Sequence, residues 1–145
     1  MLIVLLVMFA MPAMALITPD AVTTDKLTTL ALTTGWTNGT DGTGVALLTF
    51  TTPNGTALTA PLAGMFYSSQ VATGLTATAL TTGATASKGQ ITPVVAAGTS
   101  FYHFITNATG ELDLTITAAA GTWYIVFTQP DHKLLLTGAL AITGP

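Results

Sequence analysis

The chain has no cysteine and no arginine, and its lysines are confined to Lys26, Lys88 and Lys133. Without cysteine there is no disulfide framework, no thiolate nucleophile and no cysteine metal site. Without arginine, and with so few lysines, nothing in the chain neutralises a run of phosphates, so nucleic-acid binding is excluded as a function class. Charge of either sign is scarce. Charged residues make up 6% of the 145, against about 25% in an average soluble domain, and the formal net charge is −3. Helical periodicity is missing too: outside residues 1–17 no stretch repeats its apolar positions at the spacing of a helix face.

What fills the chain is β-forming. Half of the residues are hydrophobic, and threonine supplies roughly one residue in five, well above its usual share. Threonine is β-branched and suits a pleated, half-exposed surface. A surface of hydroxyls in place of lysine and glutamate is poorly defended against association, so the composition points to a chain that sits inside an assembly.

Residues 1–17 carry no charged side chain, and residues 2–10, including Leu5 and Phe9, form an unbroken apolar run. Ala13-Met14-Ala15 fits the small-x-small cleavage rule of a signal peptide, although no lysine or arginine precedes the run. Pro12 interrupts the segment, and it is short for a membrane span, which needs about 20 residues. Three readings stay open: a removed signal peptide, a retained apolar arm packed on neighbouring subunits or a membrane, and a transmembrane helix.

Residues 18–44 read as a connector rich in threonine and glycine, and residues 45–145 as the folded domain. Strands are expected at 45–52, 64–69, 74–80, 90–95, 100–106, 111–117, 122–128, 134–137 and 139–143, the weaker ones being 64–69, 74–80 and 90–95. Pro53-Asn54-Gly55 closes the first, because Asn and Gly tolerate positive φ. Pro93 breaks the strand that contains it, residues 81–89 read as loop, and Gly138 marks a possible bulge. In 111–117, Leu112, Leu114 and Ile116 point one way while Glu111, Asp113 and Thr115 point to water. In 122–128 both faces are apolar: Trp123, Ile125 and Phe127 on one, Tyr124 and Val126 on the other. Such a strand needs cover on both sides from a second sheet or a subunit. Short strands with turn signals every 8–12 residues indicate an all-β fold, an Ig-like antiparallel β-sandwich of seven to eight strands. The Cys–Trp–Cys spacing of antibody domains is lacking.

Little here is catalytic. His103 stands mid-strand between Tyr102 and Phe104, and no serine sits in a nucleophile elbow. A hydrolase built on His103 is therefore the weakest of the functional readings. His132 reads as a solvated turn residue. Glu111 and Asp113 share a strand face and would need further oxygen ligands to hold Ca²⁺; solvent-facing charges are the plainer reading. Three Asn-x-Thr triplets, at Asn38, Asn54 and Asn107, lie in turns where Asn is needed for geometry alone. Gly-rich residues 35–44 lack the lysine of a phosphate-binding loop. No catalytic residue, metal or cofactor is called for. The aromatic residues are mostly core, with Tyr102, Phe104, Tyr124 and Val126 as candidates for a subunit contact and Leu5 and Phe9 as candidates on the apolar arm.

Thr106-Asn107-x-x-Gly110 followed by Leu112-x-Leu114-x-Ile116 resembles the turn–strand signature of bacterial Ig-like domains. With Gly74-Leu75-Thr76-Ala77-Thr78, residues 101–128 and residues 134–143, the pattern is similar to Ig-like virion surface proteins of tailed bacteriophages, such as head decoration proteins. Val22-Thr23-Thr24-Asp25-Lys26-Leu27 looks like the connector repeats near the start of phage fibre proteins, here present once. The resemblance covers about residues 45–143. It implies a non-enzymatic β-sandwich that adds to a capsid or tail surface, is located in the virion, and contacts other copies of itself and the major capsid or tail protein. Membrane contact would come only through residues 1–17. The alternative, favoured by Ala13-Met14-Ala15, is an exported bacterial surface or adhesion domain.

Overall fold

Alternation of large apolar and small polar residues sets the architecture of the computed structural model, which describes residues 30–95, 100–129 and 133–144. Along strand β2 (Thr43–Thr51) Ala46, Leu48 and Phe50 turn inward while Leu47 and the threonines turn out. The other strands are β1 (Ala31–Asn38), β3 (Ala63–Ser69), β4 (Gly83–Lys88), β5 (Gln90–Pro93), β6 (Phe101–Ile105), β7 (Glu111–Thr117), β8 (Gly121–Thr128), β9 (Leu134–Leu136) and β10 (Leu140–Ile142). They pair antiparallel into two sheets. One runs β1-β2-β7-β4; the other runs β10-β8-β3-β6-β5, with β9 also pairing β8.

The inner faces meet in a core of Leu48, Phe50, Leu112, Leu114 and Ile116 from the first sheet and Phe66, Tyr102, Phe104, Trp123, Ile125 and Phe127 from the second. At its centre Phe127 meets Phe50 and Phe104 edge-on, with ring centroids 4.9 and 5.2 Å away. This is the all-β sandwich expected, with ten strands among the described residues rather than seven or eight. The two added strands fall where turns and loop were expected. β1 occupies part of the stretch read as connector, and β4 part of residues 81–89. Residues 74–80 form no strand. Their backbone crosses the end of β3, where Ser68 Oγ donates to the Thr78 carbonyl (2.6 Å) and Thr78 N–H donates to the Ser68 carbonyl (2.7 Å).

The sandwich is laced along the side where β1 meets β10. The Trp36 ring lies against Gly44 of β2, where a Cβ would stand 2.1 Å from it, so only glycine fits there. Its Nε1 donates to the Ala141 carbonyl (3.0 Å), and Asn38 Nδ2 donates to Thr143 Oγ1 (2.9 Å). At the other end of β1, Leu30 N–H donates to Gln129 Oε1 (2.8 Å). β9 and β10 flank a break at residues 137–139, where Gly138 lies. There Thr137 takes over the ladder: its N–H donates to the Ile125 carbonyl and its hydroxyl accepts from Ile125 N–H.

Candidate docking surface

Three cross-strand rows cross the outer face of the larger sheet around β6. Ile105 stands opposite Ala63 and Gln90; His103 opposite Met65 and Thr92; Phe101 opposite Tyr67, which in turn stands opposite Val126 and Leu136 beyond it. Phe101 and Ile105 are 44% and 47% exposed, and Val94 and Val95 at the neighbouring turn are exposed as well. The Tyr67 and Phe101 rings lie 5.5 Å apart. No strand residue of this face carries a carboxylate, lysine or arginine. The described charges are Lys88, Glu111 and Asp113 on the opposite sheet, Asp41 in a turn and Lys133 just before β9.

Burial assigns the aromatic residues differently from their expected roles. Tyr102 and Phe104 are 2% and 4% exposed, which corrects the expectation that they meet a subunit. Both alternating sets of β6 are aromatic or aliphatic, so composition does not say which faces in. The signal that does is His103, the polar member of the Phe101, His103, Ile105 set, and that set is the outer one. Phe101 and Ile105 are thus the surface residues that sequence reasoning missed. Val126 is fully buried, and its cover comes from its own chain. The loop through Gly74 lies so close that a Cβ there would be 3.1 Å from both Val126 Cγ2 and Leu136 Cδ2, and Tyr67 Oη donates to the Gly74 carbonyl. Tyr124 is half-buried. Leu5 and Phe9 lie outside the described residues.

The opposite face carries the acidic pair. Asp113 is only 8% exposed, not wet as its alternation suggested, because the Lys88 side chain reaches over it from the end of β4. Lys88 Nζ lies 3.4 Å from Glu111 Oε1 and 3.7 Å from Asp113 Oδ2. Asn107 Nδ2 donates to Glu111 Oε2 (2.7 Å). That amide and, after it, Lys88 hold the Glu111 carboxyl below its ordinary 4.5, and the hydrogen bond to Glu111, followed by the Asp113 charge, raises Lys88. Because the folded Glu111 carboxyl titrates low, its contribution to stability is full above 4.5 and vanishes as the pH falls through the lowered value. Glu111→Gln should therefore flatten the loss of melting temperature between about pH 5 and about pH 2, which thermal melts in a pH series will measure. The solvent around this cluster keeps the effect small.

The same geometry accounts for the Asn-x-Thr triplet at Asn107. Its Oδ1 accepts from Thr109 N–H, Thr109 Oγ1 and Glu111 N–H, so the side chain is committed to the turn. Among the described residues no three His, Cys, Asp or Glu side chains gather as a metal site would require. A groove of about 410 Å³ runs between β4 and β5, lined by Ala84, Ala86, Ile91, Thr92 and Pro93 among others, without an ionisable side chain. Comparison with known protein families, with curated proteins and with solved structures returned no match.

Proposed function

We propose that the chain is a non-enzymatic structural subunit that adds to the surface of a larger particle, as a decoration or fibre-associated protein adds to a phage virion. The observation that carries this reading is the outer face of the larger sheet, where Phe101 and Ile105 are nearly half exposed beside Tyr67 and Met65 with no charge among them. Uncharged aromatic and aliphatic surface of this kind is costly in water and is the ordinary material of interface cores. Scarce charge and a threonine-rich exterior support the same role, since both weaken the defences of a free-standing domain.

Purified virions from the source of the chain should contain it in many copies by mass spectrometry. Recombinant protein should bind particles that lack it, and Phe101→Asp should weaken that binding by roughly tenfold or more, as loss of a central aromatic contact does. Virions free of the chain would overturn the reading. Ala13-Met14-Ala15 favours the second reading, an exported surface or adhesion domain, and an intact mass lacking the first fifteen residues would support it.

A further inference from the structure

A two-sheet sandwich has four lateral edges, and three of them here are blunted. On β5, Val94 N–H donates to the Phe101 carbonyl; counting back along the ladder, Thr92 and Gln90 also face β6, which turns Ile91 and Pro93 outward. The outward position at Pro93 thus has no donor to offer. On β4, the outward N–H of Ala84 is taken by Tyr102 Oη (3.0 Å), and the register slips between Ala86 and Lys88. The other edge of the larger sheet, beyond β8, is split into β9 and β10, three residues each, and Trp36 occupies the Ala141 carbonyl. Proline, bulges and short edge strands are the devices by which sheets avoid pairing with other chains.

β1 has none of them. It is eight residues long, pairs β2 without a register shift, and contains neither proline nor a charged side chain. Gly39 N–H donates to the Thr43 carbonyl. With the antiparallel register this directs Thr37, Gly35, Thr33 and Ala31 toward β2 and leaves the N–H and C=O of Leu32, Thr34 and Trp36 facing out. The outward N–H of Leu30, one step further along, fits this phase: it reaches Gln129 in the other sheet. Among the described residues no backbone group pairs with Leu32, Thr34 or Trp36 on that side.

We propose that β1 is a self-pairing edge, joined antiparallel to β1 of a second copy about a twofold axis at Thr34. In that register Thr34 stands opposite Thr34 of the partner copy and Leu32 opposite its Trp36, and each pair exchanges N–H···O=C bonds in both directions. The axis is normal to the sheet, so inward side chains meet inward ones: Leu32 packs beside Trp36 of the partner copy, and outside, Thr33 meets Gly35. A second copy is the fitting occupant because an isologous contact needs only one self-complementary surface, and β1 supplies one with no charge to repel its twin. The two smaller sheets then become one continuous sheet. A pairing confined to strand edges lies at the small end of stable interfaces, so association should fall in the micromolar range, about 1 to about 100 µM. This deepens the assembly role proposed above by naming a partner, and it uses a different surface from the Phe101 face.

The test is sedimentation equilibrium and native mass spectrometry of the full chain, with amide exchange followed against concentration. The expected result is a concentration-dependent dimer in which the amides of Leu32, Thr34 and Trp36 gain protection as the dimer forms. Thr34→Pro removes an outward donor at a position where proline breaks no internal bond; it should weaken dimerisation by roughly a hundredfold or more with far-UV circular dichroism unchanged. Should that variant misfold, Thr33→Lys, which sets like charges near the axis, should weaken the dimer by roughly tenfold or more. Phe101→Asp should leave the dimer intact. A wild-type chain monomeric throughout, a dimer that survives Thr34→Pro and Thr33→Lys, or amides protected in dilute monomer would each overturn the proposal. The Phe101→Asp binding result on virions is decided separately.

Discussion

Phe127→Ala should destabilise the fold by about 3–5 kcal/mol, a larger loss than any surface change in this molecule will produce. The side chain is 2% exposed and touches three other aromatic rings: Phe50 at 4.9 Å, Phe104 at 5.2 Å and Phe66 at 5.6 Å. Phe50 belongs to the smaller sheet and the others to the larger one, so Phe127 closes the contact between layers. Truncation forfeits the transfer energy of the ring and leaves a cavity walled by stiff aromatic neighbours that cannot collapse into it. In a domain of this size the melting temperature should fall by about 10–25 °C. Denaturant unfolding should show a lower midpoint with an unchanged slope. Phe127→Leu keeps most of the volume and should cost less, about 1–2 kcal/mol.

Gly110→Ala should cost about 2–5 kcal/mol, from left-handed strain of about 1–2 kcal/mol and overpacking of about 1–3 kcal/mol. Gly110 has φ +81°, and a Cβ there would lie 2.5 Å from the Phe50 carbonyl oxygen and 3.1 Å from Leu58 Cδ1. The backbone cannot yield easily, because Phe50 N–H donates to the Gly110 carbonyl (2.9 Å) and Gly110 N–H donates to the Asn107 carbonyl (3.1 Å). The first bond ties the turn before β7 to β2, and the second closes the turn itself. A chemical-denaturation midpoint measured beside that of Gly55→Ala checks the cause. Gly55 also has positive φ, +77°, but nothing stands within 4 Å of its Cβ position. The two variants share the strain, and only Gly110→Ala should show the further loss from the clash.

The residues that made the fold legible are those where a large apolar side chain alternates with a polar one. β7 was readable to the residue because Leu112, Leu114 and Ile116 alternate with Glu111, Asp113 and Thr115, and all three apolar residues are fully buried. β4 was hidden because its inward residues are only Ala84 and Ala86, too small to stand out against Thr85 and Ser87. β1 was hidden by Gly35 and by the turn formers after it. Gly35 is accommodated because its neighbour across the ladder, Leu47, occupies the outer face, 3.4 Å from where a Cβ would stand. Residues 74–80 failed the other way. Their alternation of Leu75, Ala77 and Ala79 with threonine has the strand period, yet Leu75 is 78% exposed. Period two is informative only when one set has bulk enough to bury.

The candidate surface was less legible than the fold. It depends on which alternate set of β6 faces the core and on a loop that covers Val126, and neither is encoded locally. The acidic pair illustrates the same limit. Alternation set Asp113 on the outer face correctly, but its burial depends on Lys88, twenty-five positions earlier in the chain and brought beside it by the β4–β7 pairing.

The lacing of β1 to the rest of the sandwich has a mechanical consequence. Leu30 is held at one pole by Gln129 and Asn38 at the other by Thr143, so the described chain enters and leaves at opposite ends of a strand about 27 Å long. Tension between those ends runs along the strand axis. It slides β1 against β2 with all eight pairs sharing the load, but slides β10 against β8 over only three. Under traction the C-terminal strand yields first and the N-terminal strand acts as the tether, which keeps the aromatic core closed after the tail has peeled away.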